Sequence, residues 1–143
     1  MIIRAHDHHL MVIISLWDFY IYEKHPDLVT NETKTDSYIR KALVPMMAAL
    51  EMKVNLIAWE VMNEPEWVLE KGISVTQIQK FVAKIADAVH QYSKKYVTVG
   101  SASLKWNSDI RPAVANYWKD SALQAVLPHS KAYLDFYQIH YYD

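Results

Sequence analysis

A chain of 143 residues, 52% hydrophobic and 22% charged, has the make-up of one globular unit with a single core, not of a disordered or fibrous protein. Its formal net charge of −1, with no block of like charges, argues against nucleic acid or an anionic membrane as a partner. There is no cysteine, so disulfides and thiolate chemistry are excluded while the compartment stays open.

No apolar stretch approaches the roughly 18 to 20 residues that span a bilayer. The first nine residues, with Arg4, Asp7 and three histidines, do not read as a signal peptide. Residues 10–17 form a short hydrophobic run expected to be the first strand. Residues 37–52 follow, with Ile39, Leu43, Met46, Met47 and Leu50 at helical spacing, and Pro45 is expected to kink this helix or mark a fresh start. A second strand is expected over 54–61. The clearest helix is 74–94, where Val75, Ile78, Phe81, Val82, Ile85 and Val89 make one stripe and Ser74 with Gln77 forms a capping box. Residues 96–100 read as a third strand and 134–140 as a fourth. Between them the looser segment 107–127 has Pro112 early, a helix around 121–126, and Pro128 to end it.

All four strand runs are more continuous than alternating, the mark of parallel strands covered on both faces. Strand, helix, strand in regular succession favours right-handed crossovers and a parallel α/β sheet. With about 40 residues between strand starts, a closed eight-stranded barrel would need far more chain, so residues 1–143 are read as one partial (β/α)8 (TIM) barrel domain.

The segment 55–67, Asn-Leu-Ile-Ala-Trp-Glu-Val-Met-Asn-Glu-Pro-Glu-Trp, carries the chemistry. A buried strand runs directly into a polar turn, placing Glu64 at the strand's C-terminal end, the edge where α/β barrels build active sites. Pro65 disfavours the helical region for Glu64 and holds the side chain at the rim. A carboxyl among apolar neighbours such as Trp59, Met62 and Trp67 suits the acid of glycoside cleavage, which needs one protonated carboxyl and one that attacks or activates water. Asn63 is placed to bind a sugar hydroxyl. The same residues also fit a helix N-terminus with Asn63 as its cap.

Strict alternation sends Asn63 and Glu64 to opposite faces, so an irregularity is expected at the strand's end. Glu60 lies roughly 13 Å along the same strand from Glu64, too far for the roughly 5 Å pair of a retaining enzyme, and reads as a buried polar residue. Five Trp, ten Tyr and three Phe suit either sugar stacking or core filling. Trp17, Trp67 and Trp106, each at or beyond a strand end, are the stacking candidates. His6, His8 and His9 lack an acidic partner cluster, so no metal is expected. No glycine-rich phosphate loop is present, and no cofactor is expected.

Asn63-Glu64-Pro65 after a Trp-containing strand resembles the fourth-strand signature of clan A glycoside hydrolases, and the surroundings resemble glycoside hydrolase family 5, the cellulase and mannanase group. Val-Ile-Ile-Ser-Leu-Trp-Asp-Phe within 11–19 is similar to that family's third strand, residues 96–103 (Tyr-Val-Thr-Val-Gly-Ser-Ala-Ser) to its fifth, and 135–143 (Asp-Phe-Tyr-Gln-Ile-His-Tyr-Tyr-Asp) to its sixth. The resemblance implies that Glu64 is the acid/base, that Asn63 and His140 contact substrate, and that Tyr142 hydrogen-bonds the nucleophile. It implies a β-linked mannan or glucan as substrate, a retaining mechanism and a secreted protein. The family's nucleophile is a Glu at the end of strand seven and its strand-two Arg stands nearby, both beyond the strands present, so the chain alone is expected to be inactive. An inactive or merely sugar-binding remnant is the alternative. Two departures stand out: the histidines before the third strand, and Leu16-Trp17-Asp18-Phe19, where many members have a His. Open sheet edges make self-association a further expectation.

Overall fold

Short runs of β-branched and aromatic residues become one parallel sheet, seen in a computed structural model that describes residues 1–110 and 115–142. Its strands are β1 (Val12–Ser15), β2 (Leu56–Asn63), β3 (Tyr96–Ser101) and β4 (Gln138–Ile139), in the order β1-β2-β3-β4, so each lies beside its predecessor in the chain. Helices occupy the connections, as expected for consecutive strand–helix units, and the whole is part of an α/β barrel.

The central strand β2 is buried along nearly its whole length, with Ala58, Trp59, Val61 and Met62 inaccessible. Its continuous hydrophobicity follows from cover on both faces. β1 and β4 differ from expectation: they are four and two residues long, and β1 alternates between half-buried and exposed. Each pairs on one side only, and Ile13, Tyr137 and Ile139 remain substantially exposed.

Helices α1 (Ile2–Asp7), α2 (Ile21–Lys24) and α3 (Pro26–Thr30) are short and were not evident in the hydrophobic pattern. α4 (Glu32–Tyr38) starts earlier than the apolar spacing indicates because Asn31 caps it, its side chain accepting from the N–H groups of Thr33 and Lys34. α4 runs through a π turn, Ile39–Leu43, straight into α5 (Val44–Leu50). Pro45 stands in the first turn of α5, the fresh start it was expected to mark, although the chain does not leave the helix before it. A proline lacks the N–H and crowds the carbonyl four residues back, and a wider turn just before it relieves both.

The strongest helix is α6 (Val75–Tyr92), with Ile78, Phe81, Val82, Ile85 and Val89 buried against the sheet. Its capping box is complete: Ser74 Oγ accepts from Gln77 N at 3.2 Å, and Gln77 Oε1 from Ser74 N at 2.9 Å. Ser74→Ala is expected to lower stability by about 1 kcal/mol, read as a shifted urea midpoint at unchanged m-value; an unmoved midpoint would refute the cap's contribution. The last helix, α7 (Asp120–Val126), lies where expected. Pro112, read as an early break in its segment, lies outside the described residues, as does Asp143.

α4 and α6 are clamped by charge. Glu32 lies 2.6 Å from Lys80 and 3.2 Å from Lys84, and Asp36 lies 2.7 Å from Lys84. Hydrogen bonds from Lys80 and then Lys84 hold the Glu32 carboxyl below its ordinary value of 4.5. A depressed carboxylate stabilises the fold above that ordinary value and loses the contribution as pH falls through its folded value. Glu32 is half exposed, so the screened contribution is about 0.5 kcal/mol. The stability gap between wild type and Glu32→Gln should be constant above pH 4.5 and close below it, as followed by urea titrations across pH. A gap that persists in acid would show that charge is not its origin.

Candidate active site

The end of β2 is pinned by both neighbouring strands. Asn63 N donates to the Trp17 carbonyl at 2.8 Å, and Glu64 N to the Gly100 carbonyl at 2.6 Å. Along β3, Glu60 faces Thr98 while Asn63 faces Gly100, so β2 spends three residues where β3 spends two. An irregularity near the strand's end is present as expected, but it lies before Asn63 and does not bring Asn63 and Glu64 to one site. Glu64 then adopts φ 49° and ψ 53°, a left-handed conformation that costs a residue with a Cβ about 1 kcal/mol or more. The chain turns there into a 3-10 segment, Pro65–Lys71. Asn63 is thus a strand residue and not a cap, and Glu64 occupies the cap position without using its side chain as one.

Three side chains converge on the Glu64 carboxyl. Trp67 Nε1 donates to Oε2 at 2.8 Å, His140 Nδ1 lies 2.7 Å from Oε1, and the Tyr142 hydroxyl donates to the same Oε1. Glu64 itself is only 6% exposed, behind these partners. They in turn line a cavity of about 890 Å³ together with Trp106 and Lys105. An ionised Glu64 can accept from all three groups, while a protonated one can donate to His140 Nδ1 and still accept from the other two. The carboxyl can therefore be held in either charge state, as an acid that later acts as a base requires.

Sequence reasoning and structure meet unevenly here. Glu64, Trp67, His140 and Tyr142 come together, and Trp106 shares their cavity, with the Lys105 ammonium 4.5 Å from its ring centre and Tyr117 at 5.1 Å. Trp67 also continues outward through Phe19, at 6.5 Å, to Tyr20 stacked on it. Asn63 turns the other way, its Nδ2 donating to Asp18 Oδ2 at 3.0 Å. Trp17 packs edge-on against Tyr38 and borders a separate cleft with Ser15, Asp18, Glu60 and Asn63. Burial pushes the Tyr38 hydroxyl there up to about 12. The Tyr142 hydroxyl, which the resemblance pairs with a nucleophile from a later strand, donates here to Glu64. Of the N-terminal histidines, His6 lies 3.8 Å from Asp7, and among the described residues no three His, Asp or Glu side chains gather as a metal site.

Glu66 was not evident in the sequence beyond its place in the turn. Its carboxylate, 3% exposed, accepts from Ser101 Oγ at 2.6 Å, Ala102 N at 3.0 Å and Trp118 Nε1 at 2.6 Å. It ties the turn that carries Glu64 and Trp67 to the end of β3. The only sequence signal was a second acid two residues after Glu64, across a proline.

No protein-family model matches the sequence. A mannan endo-1,4-beta-mannosidase of Cryptopygus antarcticus is 36% identical, over 81% of this chain and 36% of the relative. The X-ray structure of a beta-mannanase from the blue mussel Mytilus edulis superposes with a TM-score of 0.89 at 27% identity, covering 99% of this chain and 48% of that one. A beta-1,4-D-mannanase structure from Cryptopygus antarcticus gives 0.88 at 30% identity, covering 99% and 46%. The chain spans less than half the length of each of these proteins. Among the described residues no helix is long and apolar enough to cross a membrane. In fold, the chain corresponds to part of the α/β barrel of a β-mannanase, four parallel strands with their intervening helices.

Proposed function

We propose that this chain is the acid/base-bearing part, residues 1–143, of a family 5-type β-mannanase catalytic domain that cleaves β-1,4-linked mannan by double displacement with retention. Glu64 protonates the leaving oxygen and later deprotonates the attacking water. The observation that carries this is the left-handed turn at the end of β2, which presents one buried carboxyl to Trp67, His140 and Tyr142 together. That the similar proteins are named as β-mannanases favours mannan over glucan. Trp67 and Trp106 stack sugar rings, His140 contacts substrate, and Asn63 and Trp17 act from the neighbouring cleft. The nucleophile comes from a later strand of the same barrel, and these 143 residues alone are inactive. The protein acts outside the cell. The isolated chain associates with itself through the open edges of β1 and β4, where Ile13 and Ile139 are exposed.

The chain is to be produced alone and extended through its natural downstream sequence, each with a Glu64→Gln counterpart, and assayed on mannan, carboxymethylcellulose and an aryl β-glycoside. Mannan cleavage confined to the extended protein with Glu64 intact is expected. Absence of activity in every form would leave the sugar-binding remnant standing, and unimpaired activity of Glu64→Gln would remove Glu64 from the mechanism.

A further inference from the structure

Glu60 is a buried carboxylate that the chemistry above leaves without a task. It stands on β2 four residues before Glu64, 7% exposed, between Ser15 on β1 and Thr98 on β3. Its Oε2 accepts from Gln138 Nε2 on β4 at 2.6 Å. Between this carboxylate and the His140 ring lies the bare α-carbon of Gly100. A side chain started there would come within 2.9 Å of Glu60 Oε2 and 3.2 Å of His140 Nε2. Glycine at this position leaves a carboxylate and an imidazole facing each other across one backbone with no side chain between them. The other ring nitrogen, Nδ1, lies 2.7 Å from Glu64 Oε1. Glu60, His140 and Glu64 thus form a carboxylate, imidazole, carboxylate series.

The series bears on one proton, the one shared between Glu64 Oε1 and His140 Nδ1. Two arrangements retain it: a protonated Glu64 donating to Nδ1, or an ionised Glu64 accepting from a protonated ring. In both, the far nitrogen Nε2 carries a hydrogen of its own. Only when the proton is lost can the ring take the tautomer with a bare Nε2. A carboxylate beside Nε2 favours the two arrangements that keep the proton over the one that lacks it. Among the described residues, the other ionisable groups that line the cavity with His140 are Tyr141 and Tyr142 on its own segment and Lys105, Glu66 and Glu70. Of these, Glu66 is already engaged by Ser101, Ala102 and Trp118.

Resting on the assignment of Glu64 as the acid/base, we propose that Glu60 is a positioning residue which, by holding a hydrogen on His140 Nε2 across Gly100, keeps on the Glu64–His140 pair the proton that the leaving oxygen receives. The effect of Glu60 on the proton passes through the imidazole.

Glu60→Gln in the extended protein separates this role from packing, because glutamine keeps the volume and an oxygen for Gln138 while removing the charge. At unchanged thermal midpoint, kcat on mannan should fall about tenfold with KM little altered, and the alkaline limb of the pH–rate profile should move about one pH unit lower. Nitrogen-15 spectra of His140 should show the Nδ1–H tautomer gaining at neutral pH. Glu60→Asp, which keeps the charge, should leave the alkaline limb near its wild-type place and serves as well if the glutamine variant folds poorly. Imidazole signals and an alkaline limb identical in wild type and Glu60→Gln would overturn the proposal. Should the extended wild type lack mannanase activity, the assignment of Glu64 fails, while the imidazole spectra still decide whether Glu60 governs His140.

Discussion

Glu64→Gln in the extended protein should lower kcat/KM on mannan by about 10³-fold, while cleavage of a dinitrophenyl β-glycoside should suffer far less in its first step. The difference lies in the leaving group. A sugar alkoxide departs only if it is protonated, whereas dinitrophenolate leaves unaided. The second step still needs a base to take the proton of water, so the glycosyl-enzyme should accumulate and KM for the aryl substrate should fall. Azide needs no base. It attacks the anomeric carbon, displaces the enzyme carboxylate and should restore turnover with a β-glycosyl azide as product. Equal losses on both substrates, with no response to azide, would mean that the carboxyl next to Trp67, His140 and Tyr142 is not the acid/base.

Glu66→Ala should be the most destabilising single change near the site, by about 3 to 5 kcal/mol in urea unfolding. The substitution strands three buried donors, from Ser101, Ala102 and Trp118, and a hydrogen bond to a charged group contributes about 1.5 to 3 kcal/mol. The three losses overlap, since one carboxylate serves all of them. A domain stable by about 5 to 15 kcal/mol would be left partly unfolded. Glu66→Gln keeps an acceptor oxygen but turns an amide toward donors, and about half the loss is expected. Denaturation midpoints for Glu66→Ala within about 1 kcal/mol of wild type would show that the three donors find other partners.

What could be read from the sequence was whatever depends on local periodicity or on one covalent constraint. The stripe and capping box of α6 met both conditions and were legible to within two residues. Pro65 after Glu64 announced a turn at a strand end, and an irregularity was expected there and is seen opposite Gly100, though Asn63 and Glu64 still go to different clefts. Pro45 marked the start of α5, but the π turn that carries α4 into it left no sign in the apolar spacing. The short helices α2 and α3 escaped because four or five residues are too few for a period to show. The partners of Glu66 and Glu60 lie 35 to 78 residues away in the chain, at distances that only the sheet order closes. Asn63 and Trp17 illustrate the same limit: position at a strand end places a residue at the rim, yet which cleft it faces is decided by Asp18 and Tyr38 on other segments.

The order of the sheet also bears on how the chain acquires its structure. Every strand pairs with the one made immediately before it, and no strand must wait for a later one to separate it from its neighbour. Loop-closure entropy grows only slowly with the roughly 40 residues between partners. A chain leaving the ribosome can therefore extend the sheet one unit at a time, each new strand docking on an edge already in place. The turn after β2 that carries Glu64 is made before β3 and β4, and Glu64 gains His140 and Tyr142 only when the segment that holds β4 arrives.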